Sequence, residues 1–187
     1  MRIDLRRSLR RIKPQKWTGS LAPRHPADLD FVESAEPFGP PLLLDTCVYL
    51  DTLEGRLPAA AKDLIRSRPL RHVSVVLGEL THFFGRLAPS PASAAILQKL
   101  GSSIEFIDPD QLNEPTAGVS LEAGILCGLV FRLGGFQVGQ EVAALIDATI
   151  FLHALENGLT ILTRNYRDFD RMNQIMPATK VLFYRPV

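Results

Sequence analysis

From Pro40 onward the chain alternates short apolar runs with longer stretches in which apolar residues return every three or four positions. The short runs read as buried strands: LLLDT (42–46), HVSVV (72–76, running straight into a helix), SIEFIDPD (103–110), LTILT (159–163) and KVLFY (180–184). The longer ones read as helices: AAAKDLIRS (59–67), LGELTHFFGRL (77–87), SPASAAILQKLG (90–101), 116–133 and 140–157. Ser74 is a candidate N-cap for the second of these, Ser90 or Ser93 for the third, and Gly101 its stop. LGGFQVG reads as the turn between the last two helices, ENG as the stop of the final one, and YRDFDRM (166–172) as a loop with a short helix. Strands that alternate with helical crossovers imply an α/β fold with a parallel sheet.

Residues 1–39 lack this rhythm. They are rich in Arg and Pro, and they read as a basic, flexible N-terminal extension to a domain spanning 40–187. RIDLRRSLRRI (2–12) forms a short basic helix only if something holds it.

A length of 187 residues suits one domain with a sizeable core, and 46% hydrophobic with 22% charged residues is ordinary for a globular chain. The longest apolar stretch, GILCGLVF, is far too short to span a bilayer. The N-terminus has no apolar segment or cleavage site of a secretory signal. Cys47 and Cys127 lie in apolar runs without metal-type spacing, which reads as two small buried hydrophobes in a reducing cytoplasm. Charge is divided unevenly. Residues 1–24 hold eight Lys and Arg against Asp4 and are +7, whereas the rest of the chain is −6. Such an arm gathers a polyanion, pairs with an acidic partner, or is simply solvated.

Candidate chemistry collects on acids in unusual places. In open parallel sheets the working cleft lies beyond the carboxyl ends of the strands. Asp45 stands at such an end, and TRNYRD, directly after LTILT, offers Thr163, Asn165 and Asp168 at another. Glu79 sits among Val75, Val76, Leu80 and Phe83, and Asp147 is embedded in VAALIDATIFLHAL. Acids in that company are seldom buried unless paired or bound to a metal. Each has an ordinary explanation as well: Asp45 capping a turn, Glu79 pairing with Arg86 or Lys99, Asp147 pairing with Arg164, Asp168 capping a helix. If the four converge, two carboxylates ~4 Å apart repel by about 4 kcal/mol at an effective dielectric near 20, so protons or a cation must offset them. An oxygen-only set points to Mg²⁺ or Mn²⁺ rather than zinc, and to hydrolysis of a phosphodiester.

LLLDTCVYLD, VSVVLGELTHF and LIDATIFLHALENGLTILTRNYRDF, in that order, resemble the PIN-domain family and, within it, the VapC-type toxin ribonucleases of toxin–antitoxin pairs. The resemblance covers roughly residues 41–184. It implies a three-layer α/β/α fold with a central parallel sheet of about five strands, homodimerisation, and RNA cleavage with Mg²⁺ or Mn²⁺. The implied partner is a small antitoxin whose tail lies over the active site with an arginine among the carboxylates. The implied catalytic residues are Asp45, Glu79, Asp147 and Asp168, with Asp45, Asp147 and Asp168 as metal ligands and Thr46, Thr163 and Asn165 as polar support. Asp170 rivals Asp168, which the spacing from Asn165 and the following Phe169 favours. Cys47 departs from the family, which frequently has Asn or Ser there, and this puts the support of the first acid in question. A groove beside Phe83 and Phe84 is a candidate seat for the antitoxin tail, although such phenylalanines are commonly core residues.

Other chemistries fit less well. A haloacid-dehalogenase-type site needs an acid two residues after Asp45, where Cys47 stands. LGGFQVG has neither the preceding strand nor the following Lys-Ser or Lys-Thr of a phosphate-cradling loop. Cys47 has no evident base, and His25, His72, His82 and His153 suggest no triad. The alternative to a ribonuclease is a catalytically weak or inactive PIN-like module that binds nucleic acid or protein, with the basic arm supplying salt-sensitive affinity.

Overall fold

The computed structural model describes residues 4–134, 137 and 139–187. In chain order, helix α1 (Leu5–Ile12) and three short 3₁₀ turns precede strand β1 (Leu42–Leu44). Then come α2 (Thr46–Leu53), α3 (Ala59–Ser67), β2 (Leu70–Val73), α4 (Ser74–Arg86) and α5 (Pro91–Glu105). The chain continues through β3 (Leu112–Asn113), α6 (Ala117–Arg132), α7 (Glu141–Asn157), β4 (Thr160–Thr163), α8 (Tyr166–Ile175) and β5 (Lys180–Phe183).

All strands pair in parallel, in the order β3-β2-β1-β4-β5. Leu42 lies beside Leu70 and Thr160, and Leu44 beside Leu162. The three consecutive leucines of β1 are needed because helices cover both faces of the sheet. Leu43, Ile161 and Val181 point into a core shared with α4, α6, α7 and α8. Leu42, Leu44, Leu162 and Leu182 point the other way, onto Val48 of α2 and Ala61 and Leu64 of α3. Burial of each such leucine contributes about 1.5–3 kcal/mol. The three-layer α/β/α arrangement is thus present. The long α6–α7 pair matches the expected spans to within one residue at each end, and Gly158 ends α7 in the left-handed conformation at φ 64°. Gly135, Phe136 and Val138 of the expected LGGFQVG turn lie outside the described residues.

Several local expectations are corrected. SIEFIDPD is not a strand. Helix α5, capped by Ser90, passes through Gly101 to Glu105, and the edge strand falls later, at Leu112–Asn113. A glycine inside a helix costs only about 1 kcal/mol, and the packing of Leu100 outweighs it. Ser74 is the first residue of α4 rather than its cap, and its hydroxyl donates to Glu114 at 2.6 Å. Asp45 and Thr46 leave the strand at once, because α2 begins there.

The segment before Pro40 touches the rest of the chain at several points. Asp4 caps α1, and α1 buries Ser8 and Ile12 against α6. Arg11 pairs with Glu122 at 2.7 Å, and Arg132 donates to the carbonyls of Pro14 and Trp17. Further on, the backbone N–H of Arg24 donates to Asp170 at 2.7 Å and its Nε at 2.8 Å. Asp170 is wholly buried and also accepts from Gln174. Phe31 bridges to Phe183, so the segment covers the open edge of β5. Composition misleads here because each arginine anchor finds its partner more than 100 residues away.

Candidate active site

The sheet order makes the crevice between the carboxyl ends of β1 and β4 the topological switch point: the chain leaves β1 toward β2 on one side and later returns to β4 on the other. Asp45 follows β1 and Thr163 ends β4. They meet across the switch point, where the Thr163 hydroxyl donates to Asp45 Oδ2 at 2.6 Å and the Asp45 N–H donates to the Leu162 carbonyl at 3.2 Å. The Cys47 thiol donates to the same Oδ2 at 3.0 Å. Burial, and then the adjacent Asp45 carboxylate, push this thiol well above its usual pKa, so it stays protonated and keeps donating. Cys47 therefore gives the first acid a second side-chain donor beside Thr163.

The remaining acids join through short polar links. The Thr46 hydroxyl, at the start of α2, donates to Glu79 of α4. Asn165 caps α8 and ties three residues together. Its N–H donates to the Thr163 hydroxyl at 2.9 Å, its Nδ2 donates to Asp147 Oδ2 at 3.0 Å, and its Oδ1 accepts from the Asp168 N–H at 3.5 Å. Asp168 accepts from Arg171 at 3.2 Å. Asp170 faces away into its bond with Arg24, so the choice between the two falls on Asp168.

The electrostatics match this layout. Burial raises the Asp147 pKa well above normal, and the charges of Asp45, Asp168 and Glu79 raise it further. Burial also raises Asp45, Glu79 and Asp168, against the pull of their hydrogen bonds. Asp147 therefore stands in the field of the other three acids, while Arg164 acts on Asp45 and Arg171 and Arg167 on Asp168. Glu79 does not take Arg86 or Lys99 as its hydrogen-bond partner, and Arg164 pairs not with Asp147 but with Asp51.

Asp51 is the residue that sequence reasoning missed. It is wholly buried, and its Oδ1 accepts from Arg56 Nε at 3.1 Å and Arg164 at 3.0 Å. Its Oδ2 accepts from the Tyr184 hydroxyl at 2.7 Å, and Tyr184 also touches Cys47 Sγ at 3.6 Å. A chain of contacts thus runs from Asp51 through Tyr184 and Cys47 to Asp45. The signal available was the i, i+4 spacing of Cys47 and Asp51 on α2, legible only once TCVYLDTL is seen as a helix. Nothing local marks Arg56 or Tyr184.

A set of oxygen donors alone suits a hard divalent cation. As they stand, the side chains do not form a ready cage: among the described residues no group of three or more His, Cys, Asp and Glu is drawn together for a metal. Each acid instead has its own hydroxyl, thiol, amide or guanidinium donor.

No protein-family model and no curated protein sequence matches the chain. Solved structures do. VapBC2 from Rickettsia felis bound to a DNA fragment from its promoter aligns at 20% identity with a TM-score of 0.51, covering 77% of this chain and 98% of that one. FitAcB from Neisseria gonorrhoeae aligns at 17% identity and 0.54, covering 76% and 96%. DNA-bound VapBC from Salmonella typhimurium aligns at 20% and 0.52, covering 76% and 97%. At such identities the likeness is one of fold, and together with the parallel sheet and its switch point it gives this chain a PIN-like three-layer α/β/α fold, shared with these structures.

Proposed function

We propose that this chain is a Mg²⁺- or Mn²⁺-dependent endoribonuclease, the toxin of a toxin–antitoxin pair acting in the cytoplasm. The observation that carries the reading is the convergence of Asp45, Glu79, Asp147 and Asp168 on one switch-point crevice, joined through Thr46, Thr163 and Asn165. Asp45, Asp147 and Asp168 would hold the ion, which supplies activation of a water and neutralisation of charge at phosphorus. Thr163 and Cys47 fix the Asp45 carboxylate by two donors on one oxygen. Asn165 orients Asp147, and Glu79, with its raised pKa, is placed to take or give a proton at the crevice.

Cys47 should act as a positioning residue. Cys47→Ala removes a donor from Asp45 and should weaken Mg²⁺ affinity and cleavage by about 10–100-fold. Cys47→Ser keeps a donor and should recover most of the loss. Equal behaviour of the two variants, in calorimetric metal titration and cleavage rate, removes that role.

The partner reading extends the names of the structural neighbours, which are VapBC and FitAB complexes. We place a small antitoxin over the crevice, an arginine of its tail standing in for the metal's charge, and a homodimer of this chain beneath it. Phe83 packs on the core and Phe84 is 46% exposed. An apolar cleft of about 340 Å³ lies elsewhere, between α2, α3 and the segment after α5, lined by Val48, Tyr49, Ile65 and Phe106 with Lys62 and Arg66. It suits an apolar segment carrying acidic residues.

A second reading, a PIN-like binding module without turnover, is favoured by one observation: each acid already has a donor, and Asp168 an internal cation in Arg171. Purified protein incubated with bulk RNA separates the two. Cleavage with Mg²⁺ or Mn²⁺ that stops in chelator is the expected result. RNA bound but left intact with either metal would replace the enzyme by the binding module.

A further inference from the structure

We propose that the outer face of α1 is an RNA-binding surface that grips the phosphate backbone; the choice of RNA rests on the ribonuclease reading above. Arg6, Arg10 and Lys13 recur at i, i+4 and i+7 and form one stripe along the helix, flanked by Arg7 and followed by Lys16. All five are exposed, while Ser8 and Ile12 are buried on the opposite face. Of the arginines of α1, Arg11 is tied to a carboxylate, Glu122. Among the described residues, Arg6, Arg7, Arg10, Lys13 and Lys16 enter no ion pair.

This stripe is built and held. Asp4 caps the helix, Lys13 closes it in the left-handed conformation at φ 54°, and Arg132 clamps the following turn by its carbonyls. A helix fixed in place loses less conformational freedom on binding than a flexible arm. The stripe from Arg6 to Lys13 is about 10 Å long, enough to meet two or three successive phosphates. Such contacts give affinity without reading sequence.

The division of charge along the chain favours a surface of this kind. Beyond residue 24 the chain is −6, and the crevice itself gathers four acids. A polyanion nearing that crevice meets the four acids; Arg164 is engaged with Asp51 and Arg171 with Asp168, while the exposed Arg167 acts on Asp168 without an ion pair among the described residues. The first 24 residues, at +7, reverse the field. The segment that follows α1 reaches the helix of Asp168 at Leu21. Leu21 donates to the Leu133 carbonyl, and its own carbonyl accepts from Arg171, on the helix that carries Asp168.

The test reads binding of the full chain to a short unstructured single-stranded RNA, in chelator and without metal, by fluorescence polarisation across about 50–200 mM salt. The triple variant Arg6→Gln, Arg10→Gln, Lys13→Gln should lose affinity by roughly tenfold or more at low salt. Its plot of log affinity against log salt should be shallower by about 2, three contacts at about 0.7 each for a single strand. The companion Arg6→Lys, Arg10→Lys should keep both, because phosphate attraction needs only the charge. Circular dichroism should show an unchanged fold in both. An unchanged slope and affinity in the triple variant overturns the proposal, as does an equal loss in the lysine variant. Vesicles rich in anionic lipid serve as the competing polyanion, and dependence on the stripe for vesicles but not for RNA also overturns it. Since no cleavage is measured, a protein that binds RNA through α1 and never cuts it would sink the ribonuclease reading and leave this one standing.

Discussion

Asp147→Asn should abolish RNA cleavage and leave the metal-free protein more stable than its parent. Asp147 is the acid most strongly perturbed by its neighbours: burial, then Asp45, Asp168 and Glu79, all favour its neutral form. Asparagine is the neutral form in shape, and its carbonyl still accepts from Asn165. Relief of repulsion of this kind contributes about 0.5–2 kcal/mol, or roughly 2–4 °C of melting temperature per kcal/mol at this chain length. Loss of a metal ligand should cost cleavage at least about 10²-fold.

The pH dependence follows from the same shift. The folded protein holds the protons of Asp45, Glu79, Asp147 and Asp168 more tightly than the unfolded chain does. Their contribution to stability is fully present below the ordinary carboxylate range near pH 4 and is lost as pH rises through the raised folded values. The metal-free melting temperature should therefore fall from about pH 4 toward neutrality on account of this cluster. Mg²⁺ should restore it, and Asp147→Asn should flatten the profile. A variant that melts below its parent at neutral pH would contradict the shared-charge account.

Asp51→Ala should produce the largest loss of stability of any single change near the crevice, about 3–5 kcal/mol. This carboxylate is wholly buried and accepts from Arg56, Arg164 and Tyr184 together. Its removal leaves Arg164 without its counter-charge, Arg56 with Glu54 alone, and the Tyr184 hydroxyl without an acceptor for its 2.7 Å bond. Thermal unfolding should drop by about 10 °C. Because Tyr184 also touches Cys47, and Cys47 holds Asp45, cleavage by the surviving folded fraction should fall by about 10–100-fold. A shift of only a degree or two would mean that solvent takes over the arginines and that the contact chain does not support the site.

The four acids were legible before any coordinates because each breaks an apolar pattern: Asp45 ends a leucine run, Glu79 and Asp147 interrupt helix faces, and Asp168 follows Asn165 after a buried strand. Their supports were half legible. Thr46, Thr163 and Asn165 could be named, but which acid each serves could not, since Thr46 turns to Glu79 and Thr163 to Asp45. Asp51 looked like one more charge in PPLLLDTCVYLD. Its burial depends on Arg56, Arg164 and Tyr184, none of which a local pattern connects to it.

Periodicity along the chain was enough to settle the α/β class, the parallel sheet and the long α6–α7 pair, because burying one face of a strand or helix imposes a repeat that is written locally. It could not show that Arg24 would tie the first segment to Asp170, or that a thiol would hold the first acid. Those outcomes depend on partners far apart in the chain, Arg24 with Asp170 and Cys47 with Thr163 and Tyr184. Hydrogen bonds and ion pairs follow distance in space, and only the folded chain brings such groups together.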